Sequence, residues 1–75
     1  MTIGDLEVGA KARVIGYRKG SSSYRTRLLA MGVMRGESIQ VRRAAPMGDP
    51  VEILLKGFAL VLRKEEASVV LVERM

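Results

Sequence analysis

The stretch Arg27-Leu28-Leu29-Ala30-Met31-Gly32-Val33-Met34-Arg35-Gly36 constrains this chain most, because an apolar helical run stopped by glycine gives way at once to alternating, strand-like sequence. A two-turn helix is marginal on its own. It must pack on the strands around it, so the chain reads as a small sheet carrying one short helix. The expected helix covers Tyr24 to Met31, with Tyr24, Leu28 and Met31 at i, i+4 and i+7 on one face and Gly32 as the left-handed terminator. The serines at 21–23 offer a cap. Arg25 and Arg27 then fall in the first turn, where the helix dipole favours acids over bases, and that placement marks them as partner contacts.

The rest of the pattern is β. Ile3, Leu6 and Val8 form a lead-in that closes one end of the core, with Gly9 as a turn. Lys11 to Tyr17 alternates as a first strand, with Gly16 as a bend or bulge. Ile39 and Val41 alternate with Gln40 and Arg42 in a second strand, which the turn-forming residues 44–50 interrupt. Gly57-Phe58 fits the Gly-X hairpin loop and sets Lys56 against Ala59, Leu55 against Leu60 and Ile53 against Leu62 on a core face. The other face then pairs Leu54 with Val61 and Glu52 with Arg63, leaving an apolar pair under a loop or at an interface. Lys64–Ala67 reads as one helical turn, and residues 69–72 as a last, largely buried strand. Five short strands and one helix predict a mainly all-β, SH3-like, partly open barrel, one domain over residues 1–75, with an OB-fold as the near alternative.

Composition narrows the function. The chain has no cysteine and no histidine, which removes disulfides, thiolate ligands, the commonest metal ligand and the commonest general base. The carboxylates are scattered, the methionines suit packing better than soft-metal ligation, and no phosphate-binding loop is present. No catalytic residue, metal site or cofactor is expected. The start lacks a basic, apolar leader and no run approaches a membrane span, so the expectation is a cytoplasmic protein without membrane insertion. Residues 1–43 carry nine Lys/Arg against three acids (+6), whereas residues 44–75 carry four against five (−1), which accounts for the net +5. The basic half suits an acidic partner. Arg18, Lys19, Arg25, Arg27 and Arg35 offer phosphate contacts, but Tyr17, Tyr24 and Phe58 are too few and scattered for base stacking.

Residues 27–36, the 44–51 loop, Gly57-Phe58 and residues 60–67 together resemble the ferrous iron transport protein A family of bacteria, and the similarity runs from Leu6 to Val72. The resemblance implies a cytoplasmic SH3-like accessory of ferrous iron uptake. Its implied partner is the ferrous iron permease, a membrane protein whose cytosolic part hydrolyses GTP. On that reading Arg25, Arg27, Leu28, Met31 and Arg35 join Leu54 and Val61 in one docking surface. Self-association through the apolar hairpin face stays open. The competing readings are a small basic barrel that binds nucleic acid and a GTPase activator that supplies Arg25 or Arg27 in trans.

Overall fold

The computed structural model describes residues 1–75. Five strands form one antiparallel sheet: β1 (Lys11–Tyr17), β2 (Ser38–Ala44), β3 (Val51–Leu55), β4 (Phe58–Leu62) and β5 (Val70–Arg74), in the order β4-β3-β2-β1-β5. Helix α1 (Ser22–Ala30) lies in the β1–β2 connection, and one helical turn, α2 (Lys64–Ala67), joins β4 to β5. A short 3-10 turn occupies Ile3–Asp5, and Pro46–Gly48 is a tight turn in which Met47 takes φ +67°.

Alternation along the strands builds the core. Ala12 and Val14 from β1, Ile39 and Val41 from β2, and Val51, Ile53 and Leu55 from β3 turn inward to meet Leu62, Val70 and Val72. Ile3, Leu28, Val33 and Ala67 complete the cluster from outside the sheet. Two irregularities bend the sheet around this core. Pairing of β1 with β5 shifts register between Val14 and Gly16, and pairing of β2 with β3 shifts between Val41 and Arg43. Such bulges sharpen local twist, which lets a five-stranded sheet curl into a partly open barrel. The expected bulge at Gly16 is present; its counterpart in β2 has no glycine to announce it.

Helix α1 ends as its sequence demands. Gly32 takes φ +95°, the Gly32 N–H donates to Leu29 O at 3.0 Å, and the Val33 N–H donates to Leu28 O at 3.0 Å. This is a Schellman closure, with Leu28 and Val33 as its hydrophobic contact, and both residues are fully buried.

Four local expectations are corrected. The hairpin turns at Lys56-Gly57, not Gly57-Phe58, with φ +53° and +81° at the two loop residues. Positive φ at both positions is the type I′ geometry, whose twist matches that of the strands, and glycine occupies its second place. Leu55 therefore faces Phe58, Leu54 faces Ala59, Ile53 faces Leu60 and Glu52 faces Val61. Because the pair sums fall by two, each residue stays on its expected face and only its partner changes. Val8 is 58% exposed and does not close the core. The helix begins at Ser22, so Arg25 lies beyond the first turn and Arg27 in the last, where a cation complements the dipole. Ser21 holds the N-cap position, but its hydroxyl donates to Arg18 O at 2.6 Å instead of capping the helix.

Candidate functional site

Seven residues were expected to form one docking surface, and the structure divides them. Leu28 is fully buried and offers nothing to a partner in the folded chain. Met31 is half-buried against the core. Leu54 and Val61 point away from the core on the outer face of β3 and β4, with Val61 57% exposed. A Cβ added at Gly32, just past the helix, would lie 3.6 Å from the Leu55 side chain. The helix end thus sits over the inner face of β3, and Leu54, one residue away, faces the opposite side. The helix residues and the hairpin face are two separate patches.

The arginines divide as well. Arg27 is engaged: its guanidinium lies 3.4 Å from the Glu66 carboxylate, which is only 3% exposed while the Arg27 side chain is 70% exposed. Glu66 arises from the α2 turn, where its Oε1 accepts the Arg63 N–H at 2.8 Å and so caps the N-terminus of that turn. Its Oε2 is buried without a hydrogen bond, leaving Arg27 as its one charge partner. A buried carboxylate demands such compensation. No sequence motif singled out Glu66, because Arg63 replaces the Ser or Thr that usually announces a capping box.

Arg35 donates from Nε to Ile15 O at 2.9 Å and lays its guanidinium beside Gly16, bracing the β1 bulge. Arg25 is exposed and has no ion pair. Burial pushes the Tyr17 phenol above its ordinary value, partly offset by the Arg25 charge, and the phenol donates to Val33 O. Lys11, Arg13, Arg18, Lys19, Arg25 and Arg35 carry no ion pair, whereas Arg42 and Arg43 both lie against Glu52 at 3.5 and 3.7 Å. The expected Glu52–Arg63 pair is absent; Arg63 instead lies 3.6 Å from Asp49. Unpaired positive charge therefore concentrates in the N-terminal half.

The outer sheet face carries two open depressions. One, of about 350 Å³, is lined by Lys11, Ser38, Gln40, Leu54, Lys56 and Met75. The other, of about 200 Å³, is lined by Arg43, Ala44, Pro50, Glu52 and Val61. Leu54 lies in a shallow hollow flanked by Lys11 and Lys56, and Val61 joins Ala44 and Pro50 in another whose Arg43 and Glu52 pair with each other, a form suited to side chains of another macromolecule. No group of three or more Asp and Glu residues gathers at a metal-binding distance. No helix is long and apolar enough to cross a membrane.

Comparison with known proteins places this geometry. The FeoA domain family matches residues 1–74. A fusion of Fe(2+) transport protein A with the Fe(2+) transporter FeoB from Porphyromonas gingivalis is 33% identical over 73 residues, which span 97% of this chain and 8% of that protein. The solution structure of an FeoA-like protein from Clostridium acetobutylicum superposes with a TM-score of 0.91 at 39% identity, covering 100% of this chain and 86% of that one. Stenotrophomonas maltophilia FeoA, described as an SH3 domain protein and solved with zinc, superposes at 0.84 with 25% identity, covering 97% and 89%.

Proposed function

The chain belongs to the FeoA domain family, and from that premise we propose that it is an accessory of ferrous iron uptake that acts by contact with the GTP-hydrolysing ferrous iron permease. The observation that carries this reading is the fusion in Porphyromonas gingivalis, where a segment similar to this chain shares one polypeptide with FeoB. Fusing two partners raises their effective concentration and is useful only if they work side by side.

The surface chemistry suits such a role. Leu54 and Val61 supply apolar anchors, and the unpaired cations of the N-terminal half steer toward an acidic patch. Met31 and Arg25 offer the second, helix-side contact, and Arg35, at the β1 bulge, a further unpaired cation. Leu28 and Arg27 act from within, Leu28 by filling the core and Arg27 by neutralising Glu66. The chain has no thiol and no imidazole, and its carboxylates do not cluster, which supports an influence on the permease that runs through binding.

Titration of purified, detergent-solubilised permease with this chain by calorimetry tests the reading. A saturable complex that is abolished by Val61→Glu and weakened by added salt is expected; absence of any complex at high micromolar concentration overturns it. If the contact also stimulates GTP hydrolysis through an arginine supplied in trans, Arg25 is the residue free to do so, since Arg27 is held by Glu66. Arg25→Ala would then lower the stimulated rate without lowering affinity to match.

A further inference from the structure

Helix α1 is tied to the barrel by very little. Eight of its nine residues are exposed, and Leu28 alone is buried. Helices this short owe their stability to packing rather than to propensity. The first turn of α1 offers no compensation. No side chain caps it, it contains no acid, and the Ser21 hydroxyl that could cap it donates to Arg18 O instead. Besides Leu28, what holds α1 down is the Arg27–Glu66 pair at 3.4 Å and the half-buried Met31 just past its last turn.

The flanks of the helix are fixed independently of it. The Arg18 N–H donates to Val69 O at 2.9 Å, and the Tyr17 hydroxyl donates to the carbonyl of the fully buried Val33. Between these two anchors stand Gly20 and Gly32, with φ +79° and +95°. Glycine leaves the left-handed region at no steric cost, so rotation at these residues swings α1 outward without breaking a hydrogen bond of the sheet.

What lies beneath the helix lowers the cost of lifting it. The Glu66 side chain is 3% exposed and its Oε2 accepts no hydrogen bond. A carboxylate so placed regains hydration when its cover lifts, which offsets part of the apolar burial lost at Leu28. We propose that α1 is a strap that opens as one unit while the sheet stays intact, with the Arg27–Glu66 pair as its latch. The latch is asymmetric. Arg27, 70% exposed, is reachable from solvent while the strap is closed, whereas Glu66 is reachable only after Arg27 has left. An acidic group of a partner that draws Arg27 away leaves a buried, uncompensated charge and so drives the strap open. This inference concerns the free chain and does not depend on which protein it meets.

The test is native-state hydrogen exchange of the isotope-labelled chain at several low urea concentrations. The Val14 and Val41 amides, which donate to Glu37 O and Ala10 O at 2.9 Å, report global unfolding and should respond steeply to urea. The amides from Arg25 to Met31 should share one protection factor, about tenfold or more below those two, with a shallow urea slope because lifting the strap exposes little surface. Arg27→Ala reproduces withdrawal of the latch. It should lower protection across α1 a further roughly tenfold with the shallow slope retained, and do little in a Glu66→Gln background. Exchange of α1 with the protection and slope of Val14 and Val41 would show that it opens only when the whole chain unfolds, and overturns the inference. Graded fraying from Arg25 onward that is indifferent to Arg27→Ala overturns it equally. No partner is present in these measurements, so neither result bears on the permease contact, which has its own titration.

Discussion

Replacing Arg27 with alanine should destabilise the fold through Glu66. The two groups stand 3.4 Å apart, one almost wholly buried and the other mostly in solvent. An exposed pair is worth about 0.2–1 kcal/mol, whereas stripping the partner from a fully buried one costs about 3–5 kcal/mol. This pair lies between those limits, because the guanidinium is hydrated and Glu66 keeps one good hydrogen bond to the Arg63 N–H. The expected loss for Arg27→Ala is about 1–2 kcal/mol, or roughly 4–16 °C in Tm for a domain of this size. Glu66→Gln removes the charge that needs compensating while retaining an oxygen to cap α2. In that background Arg27→Ala should therefore cost little. Urea unfolding of the four proteins by circular dichroism gives a double-mutant cycle whose coupling should be about 1–2 kcal/mol. Equal losses for Arg27→Ala in both backgrounds would refute the argument and leave Arg27 as an ordinary solvated cation.

Three further outcomes follow from the same structure. Leu28→Ala should cost about 2–5 kcal/mol by calorimetric or urea unfolding, since it empties a fully buried site beneath the helix end, and a loss under 1 kcal/mol would mean the helix is not docked there. Val61→Glu and Leu54→Arg on the outer face should change stability by less than about 1 kcal/mol while abolishing permease binding; unfolding of either would place that residue in the core. The Glu7 carboxyl, hydrogen-bonded by Arg74 at 2.7 and 2.9 Å, is held down to about 2 from an ordinary 4.5. Its folded value is below its unfolded one, so the stability it contributes is present above pH 4.5 and is lost as pH falls toward 2. Glu7→Gln should flatten that part of the Tm–pH curve, and parallel curves for the two proteins would contradict it.

Much of the fold was legible because its signals were local. The β1 boundaries followed from the alternation of Lys11 to Val14 and its glycine break, α2 from a charged turn between two apolar strands, and the end of α1 from Gly32. The hairpin register slipped because both Lys56-Gly57 and Gly57-Phe58 look acceptable by composition, and the choice depends on a lysine adopting positive φ. Parity protected the face assignment, so Leu54 and Val61 were placed outward for a sound reason with the wrong partners. The site was less legible. Leu28 was read both on the face that must pack and in the docking surface, and burial leaves only the first role: Leu28 is fully buried, while Met31 is half-buried and Tyr24 stays exposed. Arg27 drew attention as a charge opposed to the dipole. Its true partner is Glu66, 39 residues away, and a contact of that separation leaves no periodic trace.

The most direct test of the account is a single pair of titrations of the isotope-labelled chain, one with the soluble GTP-hydrolysing part of the permease and one with Fe(II) alone under anaerobic conditions. The account predicts that the permease fragment perturbs the amides around Leu54, Ala59 and Val61 and those of the helix-side patch at Arg25 and Met31, while Fe(II) at equal concentration leaves the spectrum unchanged. Stoichiometric capture of Fe(II) with no response to the permease fragment would contradict it.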